Sequence, residues 1–186
     1  QNIKLFKKAC NQQNIILEEL LECIDKFKNA SLLVIGDTIV DQYVACDALG
    51  MSAEAPVIVV RELESRDYIG GAGVVAAHVH ALGAKCHFLS VVGQDNEAKQ
   101  VEFEFKRQGI SYRLIEEPSR PTTLKLRYMV DNQKIFRVSR LKDHSLTPTV
   151  EKQVINEIER IAPQIRGILV SDFVYGVITP RILETI

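Results

Sequence analysis

Four short apolar runs recur along the chain, "SLLVIGD" (31–37), "CHFLSVVG" (86–93), "ISYRLI" (110–115) and "GILVSD" (167–172), and each gap between them contains a segment with helical spacing. No other feature limits the fold as tightly. A nearly continuous apolar run stopped by Gly or Asp reads as a strand buried on both faces, and strands of that kind are joined in parallel by crossover helices. Helices are predicted over 72–83, 96–108 and 149–162, with another opening at Thr179-Pro180. The chain therefore reads as an α/β layer fold.

The rhythm breaks twice. From Tyr43 to Val60 the pieces "YVAC" and "PVIVV" are β-like and are interrupted by the turn-rich "DALGMSAEAP", so no helix is expected there. Over 121–138, "TTLKLRYMV" and "KIFRVS" flank Asp131-Asn132-Gln133, the residues of a hairpin turn. Two β insertions thus interleave with one α/β core. Upstream of the first strand, residues 14–27 carry Ile16, Leu20, Cys23 and Phe27 near a 3.6 period, which predicts an amphipathic packing or connector helix within residues 1–30. Because the chain opens on Gln and stops at Ile186 inside "TPRILETI", it is expected to be an excerpt of a longer polypeptide.

Composition removes several function classes. Lys plus Arg number 23 against 24 acidic residues, so no global field recruits nucleic acid or an anionic membrane. The four cysteines never form C-x-x-C, and no apolar run is long enough to span a bilayer. With a polar N-terminus as well, a cytoplasmic location is expected. His78 and His80 stand two apart on a predicted helix and so point to different faces, and no metal site is expected.

The stretch Gly71-Ala72-Gly73-Val74-Val75-Ala76 satisfies the dinucleotide fingerprint G-x-G-x-x-G/A. A nucleotide-binding unit needs that turn directly after its first strand, whereas here the first strand lies well upstream and "RDYIG" precedes the glycines. An NAD-dependent oxidoreductase is accordingly the third reading. The Gly70-Gly71 pair still allows a backbone to pass close to a ligand, or simply lets a helix sit tightly on a sheet.

Further pieces follow in one order: Gly36-Asp37-x-x-x-Asp41, then "GGAG", "SVVGQD", "RPTTLKLRY", "NQKIFRVSR" and "LVSDFVYG". In that order and spacing, residues 31–186 resemble the ribokinase-like (pfkB type) sugar kinases. Within them the chain is most similar to the heptose 7-phosphate kinase module of bifunctional lipopolysaccharide heptose enzymes. The resemblance implies a doubly wound, mostly parallel sheet with helices on both faces. It adds a small β lid, which the insertions at about 41–69 and 120–138 would build, and makes this chain the N-terminal part of the domain. It further implies that Asp41 holds sugar hydroxyls, that Gly70 and Gly71 pass beneath the sugar, and that Asp172 and Gly176 lie near the reacting phosphoryl group. ATP and Mg2+ are the implied cofactors and a small sugar phosphate the implied partner. The family's catalytic base, in a G-x-G-D segment, would lie beyond Ile186, so a fragment with this end is expected to be inactive alone.

A basic stripe agrees with an anionic substrate. Arg120, Lys125, Arg127, Lys134, Arg137, Arg140 and Lys142 cluster with Asp131 as the one acid among them. On alternating strands Lys125, Arg127 and Arg137 share a parity and could share a face that meets phosphate. The same charges would also protect an edge strand from aggregation.

Three positions depart from the family pattern: Val74 stands for its Asn, Ser139 for its Asp and Tyr175 for its Lys. They imply either another substrate or a non-catalytic sugar-phosphate sensor or assembly module. Finally, Tyr43, Val57, Val59, Phe136 and Val138 have no evident core of their own, and relatives often bury such lids against each other, so a lid-to-lid homodimer is expected.

Overall fold

The computed structural model describes residues 2–186. The apolar runs form one parallel sheet in the order β5-β4-β1-β8, with β1 at Ser31–Gly36, β4 at Lys85–Val92, β5 at Ser111–Glu116 and β8 at Gly167–Ser171. Successive β1 side chains point to opposite faces, which is why an uninterrupted apolar run is needed. Val34 faces a core with Phe88, Val101 and Phe105, while Leu33 and Ile35 face another with Leu89, Val154 and Ile158. Helices α3 (Ala72–Ala81) and α4 (Asn96–Gln108) cover the first face, and α5 (Pro148–Ile161) and α6 (Pro180–Thr185) the second. The expected doubly wound arrangement is therefore present.

Both interruptions contribute to a second sheet, β3-β2-β6-β7, formed by β2 (Thr38–Met51), β3 (Ile58–Gly71), β6 (Thr123–Val130) and β7 (Gln133–Arg140). β2 runs antiparallel to β3 and parallel to β6, and β6 pairs antiparallel with β7. The β6–β7 turn has positive φ at Asp131 and Asn132, the backbone that a two-residue hairpin requires. Of the predicted break "DALGMSAEAP", the second half is the turn between β2 and β3, whereas "DALGM" belongs to β2, and both strands are continuous over 14 residues. Register shifts at Ala45/Cys46 and Ala48/Gly50 absorb the irregularity, so the turn residues bend the ladder without ending it.

Upstream, α2 covers Leu17–Lys26, shorter than the predicted 14–27, and α1 (Asn2–Gln12) was not foreseen. Of the predicted stripe, Ile16 and Cys23 are exposed while Leu20 and Phe27 are half-buried, so the amphipathic spacing is only partly matched by burial. Among the described residues, no helix is long and apolar enough to cross a membrane.

Candidate functional site

The second sheet has one face tied to the α/β body and the other free. Val40, Leu124 and Leu126 enter the core that contains Phe88 and Phe105. By strand alternation Asp41, Tyr43, Lys125 and Arg127 must then point the opposite way, and they line a cleft of about 780 Å3. Tyr68, Arg66 and Glu64 of β3 complete the wall, because Tyr68 is the register partner of Asp41 and Arg66 that of Tyr43. Ile69, Gly70, Gly71 and Val74 form the floor, and Phe173 reaches in from the loop after β8.

Charge and aromatic surface are paired throughout this cleft. Arg127 donates to the Asp41 carboxylate from the adjacent strand, and its guanidinium lies 5.1 Å from the Tyr43 ring centroid. Tyr43 in turn meets Tyr68 edge to face, with centroids 5.7 Å apart. Lys125 places its Nζ 5.1 Å from the Tyr175 ring and 5.8 Å from that of Phe173, spanning from the second sheet to the loop 172–177.

The two glycines have different reasons to be glycine. A Cβ on Gly70 would collide with Oδ2 of Asp41, so the absent side chain is what leaves room for that carboxylate. Gly71 has φ +59 and faces the carbonyl of Asp37, leaving neither the conformation nor the space for another residue. It leads directly into α3, whose Ala72 N–H donates to the Asp37 carbonyl at 2.9 Å. Since the glycines close an antiparallel strand of the second sheet and do not follow β1, the backbone lacks the placement a dinucleotide turn needs.

Asp37, just beyond β1, organises the loop after β8. Its buried carboxylate accepts from the backbone N–H groups of Phe173 (2.7 Å), Tyr175 (3.3 Å) and Val177 (3.3 Å). Burial pushes its pKa above the ordinary value; the three N–H bonds pull the other way and the nearby Asp172 adds to the rise. Asp172 itself is exposed, accepts from the N–H of Val174 at 2.7 Å and does not line the cleft. Gly176 adopts φ +88 against the carbonyl of His144.

Arg120 does not belong with the other cations of the stripe. It is buried, ion-paired to Glu117 at 2.6 Å, and it donates to the carbonyls of Tyr175 (2.8 Å) and His144. It thereby ties the loop before β6 to the loop 172–177, a structural duty and not a surface for phosphate. Asp95 secures the same region by accepting from the N–H of Thr122 (2.7 Å) while capping α4 through Ala98 (2.9 Å). Several of the motif pieces read in the sequence are thus fasteners that hold the cleft walls.

Of the residues singled out beforehand, Asp41, Gly70, Gly71, Lys125 and Arg127 converge on the cleft. Arg137 is the register partner of Arg127 on β7, so it shares that face, but it is exposed and lies outside the cleft lining. Of the atypical positions, Val74 is on the cleft floor, Tyr175 lies beside Lys125, and Ser139 is exposed opposite Lys125. Sequence reasoning overlooked Arg66 and Tyr68. Extending strand parity back from Gly70 would have put both on the face of Asp41.

Residues 29–172 match the pfkB family carbohydrate kinase. Two curated relatives are each described as bifunctional protein HldE. The one from Geobacter sulfurreducens is 37% identical over 155 residues, covering 83% of this chain and 32% of its own length. The one from Trichlorobacter lovleyi is 37% identical over 164 residues, covering 86% and 33%. The chain therefore spans about a third of the length of the curated relatives it matches. Among solved structures, a Staphylococcus aureus protein provisionally described as a phosphofructokinase superposes with a TM-score of 0.67 at 13% identity, over 83% of this chain and 47% of that one. The microbiome-derived acarbose kinase Mak1 gives 0.52 at 22% identity, over 76% and 45%. At those identities the likeness is one of fold.

Proposed function

The chain belongs to the pfkB family of carbohydrate kinases, and from that premise we propose that it is the sugar-binding, N-terminal portion of an ATP-dependent kinase acting on a sugar phosphate, with heptose 7-phosphate the first candidate. The observation that carries this reading is the convergence of Asp41, Lys125 and Arg127 above the Gly70-Gly71 floor. A carboxylate accepts hydrogen bonds from sugar hydroxyls, side-chain-free backbone lets the ring sit low, aromatic walls suit its apolar faces, and the cations suit a phosphate.

In this proposal the chain's own residues bind and orient. Asp41 fixes the hydroxyls, Arg127 sets the angle of that carboxylate, and Lys125 holds positive charge near the loop 172–177. Phosphoryl transfer depends mainly on positioning and on stabilising the negative charge of the transferring group, a stabilisation that Mg2+ bound with ATP would supply. The role proposed for this chain is on the sugar side, where Asp41, Lys125 and Arg127 line the cleft. Activity is proposed for the longer protein that carries the family's base, and not for these 186 residues alone. A lid-to-lid homodimer is part of the same proposal.

The test is ATP-dependent phosphorylation of a sugar phosphate panel, including heptose 7-phosphate, by the protein carrying this chain. Loss of turnover in Asp41→Asn supports the assignment, and an unaffected variant overturns it. Val74, Ser139 and Tyr175 favour a second reading, a non-catalytic sugar-phosphate sensor. That reading is selected if the panel is bound and never phosphorylated.

A further inference from the structure

We infer that Arg66 is a specificity-determining residue of this cleft, its guanidinium receiving the phosphate that the sugar already carries. The inference rests on the sugar phosphate reading above and adds to it the place where that phosphate is recognised.

Three cations line the cleft, and they are not equally free to meet an anion. Arg127 is committed to Asp41, with side chains only 15% and 22% exposed, and is stacked on Tyr43. Lys125 lies over Tyr175 and Phe173, near the loop after β8. Arg66 pairs only with Glu64, two residues away on its own strand, at 3.2 Å and with both side chains more than 60% exposed. An exposed pair of that kind contributes little, so a dianion can displace it. Arg also presents the planar fork that phosphate oxygens accept bidentately, which a lysine cannot offer.

Register supplies the distance. Tyr68 stands beside Asp41 and Arg66 beside Tyr43, so Arg66 is one two-residue step further from the floor than the carboxylate. Such a step is about 7 Å along a strand. This is comparable with the reach from the ring hydroxyls of a six- or seven-carbon sugar to a phosphate on its terminal carbon. A sugar held by Asp41 above Gly70 would therefore direct its terminal phosphate along the Tyr43 ring, between Arg66 on β3 and Arg127 on β6. Phosphate on the hydroxyl nearest the floor would have no such partner.

The experiment compares unmodified protein, Arg66→Ala, Arg66→Lys and Glu64→Gln, all in the protein carrying this chain, with heptose 7-phosphate and unphosphorylated heptose as substrates. Arg66→Ala is expected to raise KM for the sugar phosphate 10- to 100-fold with kcat within about twofold, while KM for the unphosphorylated sugar stays unchanged. Arg66→Lys should fall between, and Glu64→Gln, which removes the carboxylate competing for Arg66, should lower KM for the sugar phosphate. Turnover of the sugar phosphate with an unchanged KM in Arg66→Ala overturns the role of Arg66 alone. Failure of the unmodified protein to bind or phosphorylate any sugar phosphate overturns the functional reading, and the inference falls with it.

Discussion

Arg127 reaches across from β6 to donate to Asp41 on the neighbouring parallel strand, and both side chains are mostly sheltered from water. Removing either partner leaves the other's charge in a partly desolvated wall, so the two substitutions should separate function from stability. Asp41→Asn keeps the shape and a hydrogen-bond acceptor, and is expected to lower kcat/KM for the sugar by 100-fold or more with a thermal midpoint within a few degrees. Arg127→Ala also loses its stacking on Tyr43 and should destabilise by about 1–3 kcal/mol, read by urea unfolding. Steady-state kinetics beside melting curves of both variants check the pair.

Gly70 and Gly71 should respond differently to the same added methyl group. At Gly70 the methyl meets the end of the Asp41 side chain, which can swing, so Gly70→Ala should fold normally and raise the sugar KM 10-fold or more. At Gly71 it meets the Asp37 backbone carbonyl at a positive φ, so Gly71→Ala should lose about 1–3 kcal/mol of stability whatever the substrate. Circular dichroism and KM measured on both variants distinguish a functional glycine from a structural one.

Asp37 carries the pH prediction. Its pKa is raised above 3.8, with burial the largest cause, so between that value and the raised one the folded chain keeps a proton that the unfolded chain has released. Stability contributed by this group therefore falls as pH rises through that window, and is level above it. Asp37→Asn should remove this slope from the pH dependence of unfolding. The amide offers one acceptor oxygen to N–H groups from Phe173, Tyr175 and Val177, so the variant should also be less stable by about 1–3 kcal/mol at neutral pH. Chemical denaturation at a series of pH values tests both, and a parallel shift of the two profiles would refute the titration.

The parallel strands were legible because β1 and β4, buried on both faces, demand uninterrupted apolar residues; β5 and β8 at the sheet edges keep the apolar run although they are only partly buried. The cleft was legible in half: parity put Lys125 and Arg127 on one face, and they line it beside Asp41. What escaped depended on contacts distant in sequence. Arg120 sits in the same basic stripe as Lys125, yet only the fold brings Glu117 and the Tyr175 carbonyl around it. Arg66 was hidden in "ESRDY", a polar run that looks like a loop until β2 pairs with it residue by residue. Asp37 offered a strand-end carboxylate, and its partners lie more than a hundred residues downstream. Helix α1 was missed although Ile3, Phe6 and Cys10 stand at helical spacing, because Lys4, Lys7 and Lys8 make the segment read as a polar terminus.

The second sheet leaves apolar side chains in water, which bears on assembly. Val57 just before β3, Ile58 and Val59 at its start and Met51 at the end of β2 are 53%, 58%, 37% and 63% exposed and form one apolar surface at the β2–β3 turn. Phe136 and Val138, 47% and 41% exposed, lie on β7 at the opposite edge of the sheet. Tyr43, grouped with them in the sequence, belongs elsewhere, since it lines the cleft under Arg127. A four-stranded sheet with so much uncovered apolar surface gains by burying it, at about 25 cal/mol for each Å2 removed from water, and a twofold contact would let one patch cover its own copy. We therefore expect the protein carrying this chain to sediment as a dimer at micromolar concentration. Val59→Asp would place a carboxylate in that contact and should shift the protein to monomer with its melting temperature largely retained, because the side chain has no core to disrupt. If both proteins sediment as monomers, the sheet does not meet its own copy; a dimer that survives the substitution would place the contact on another surface.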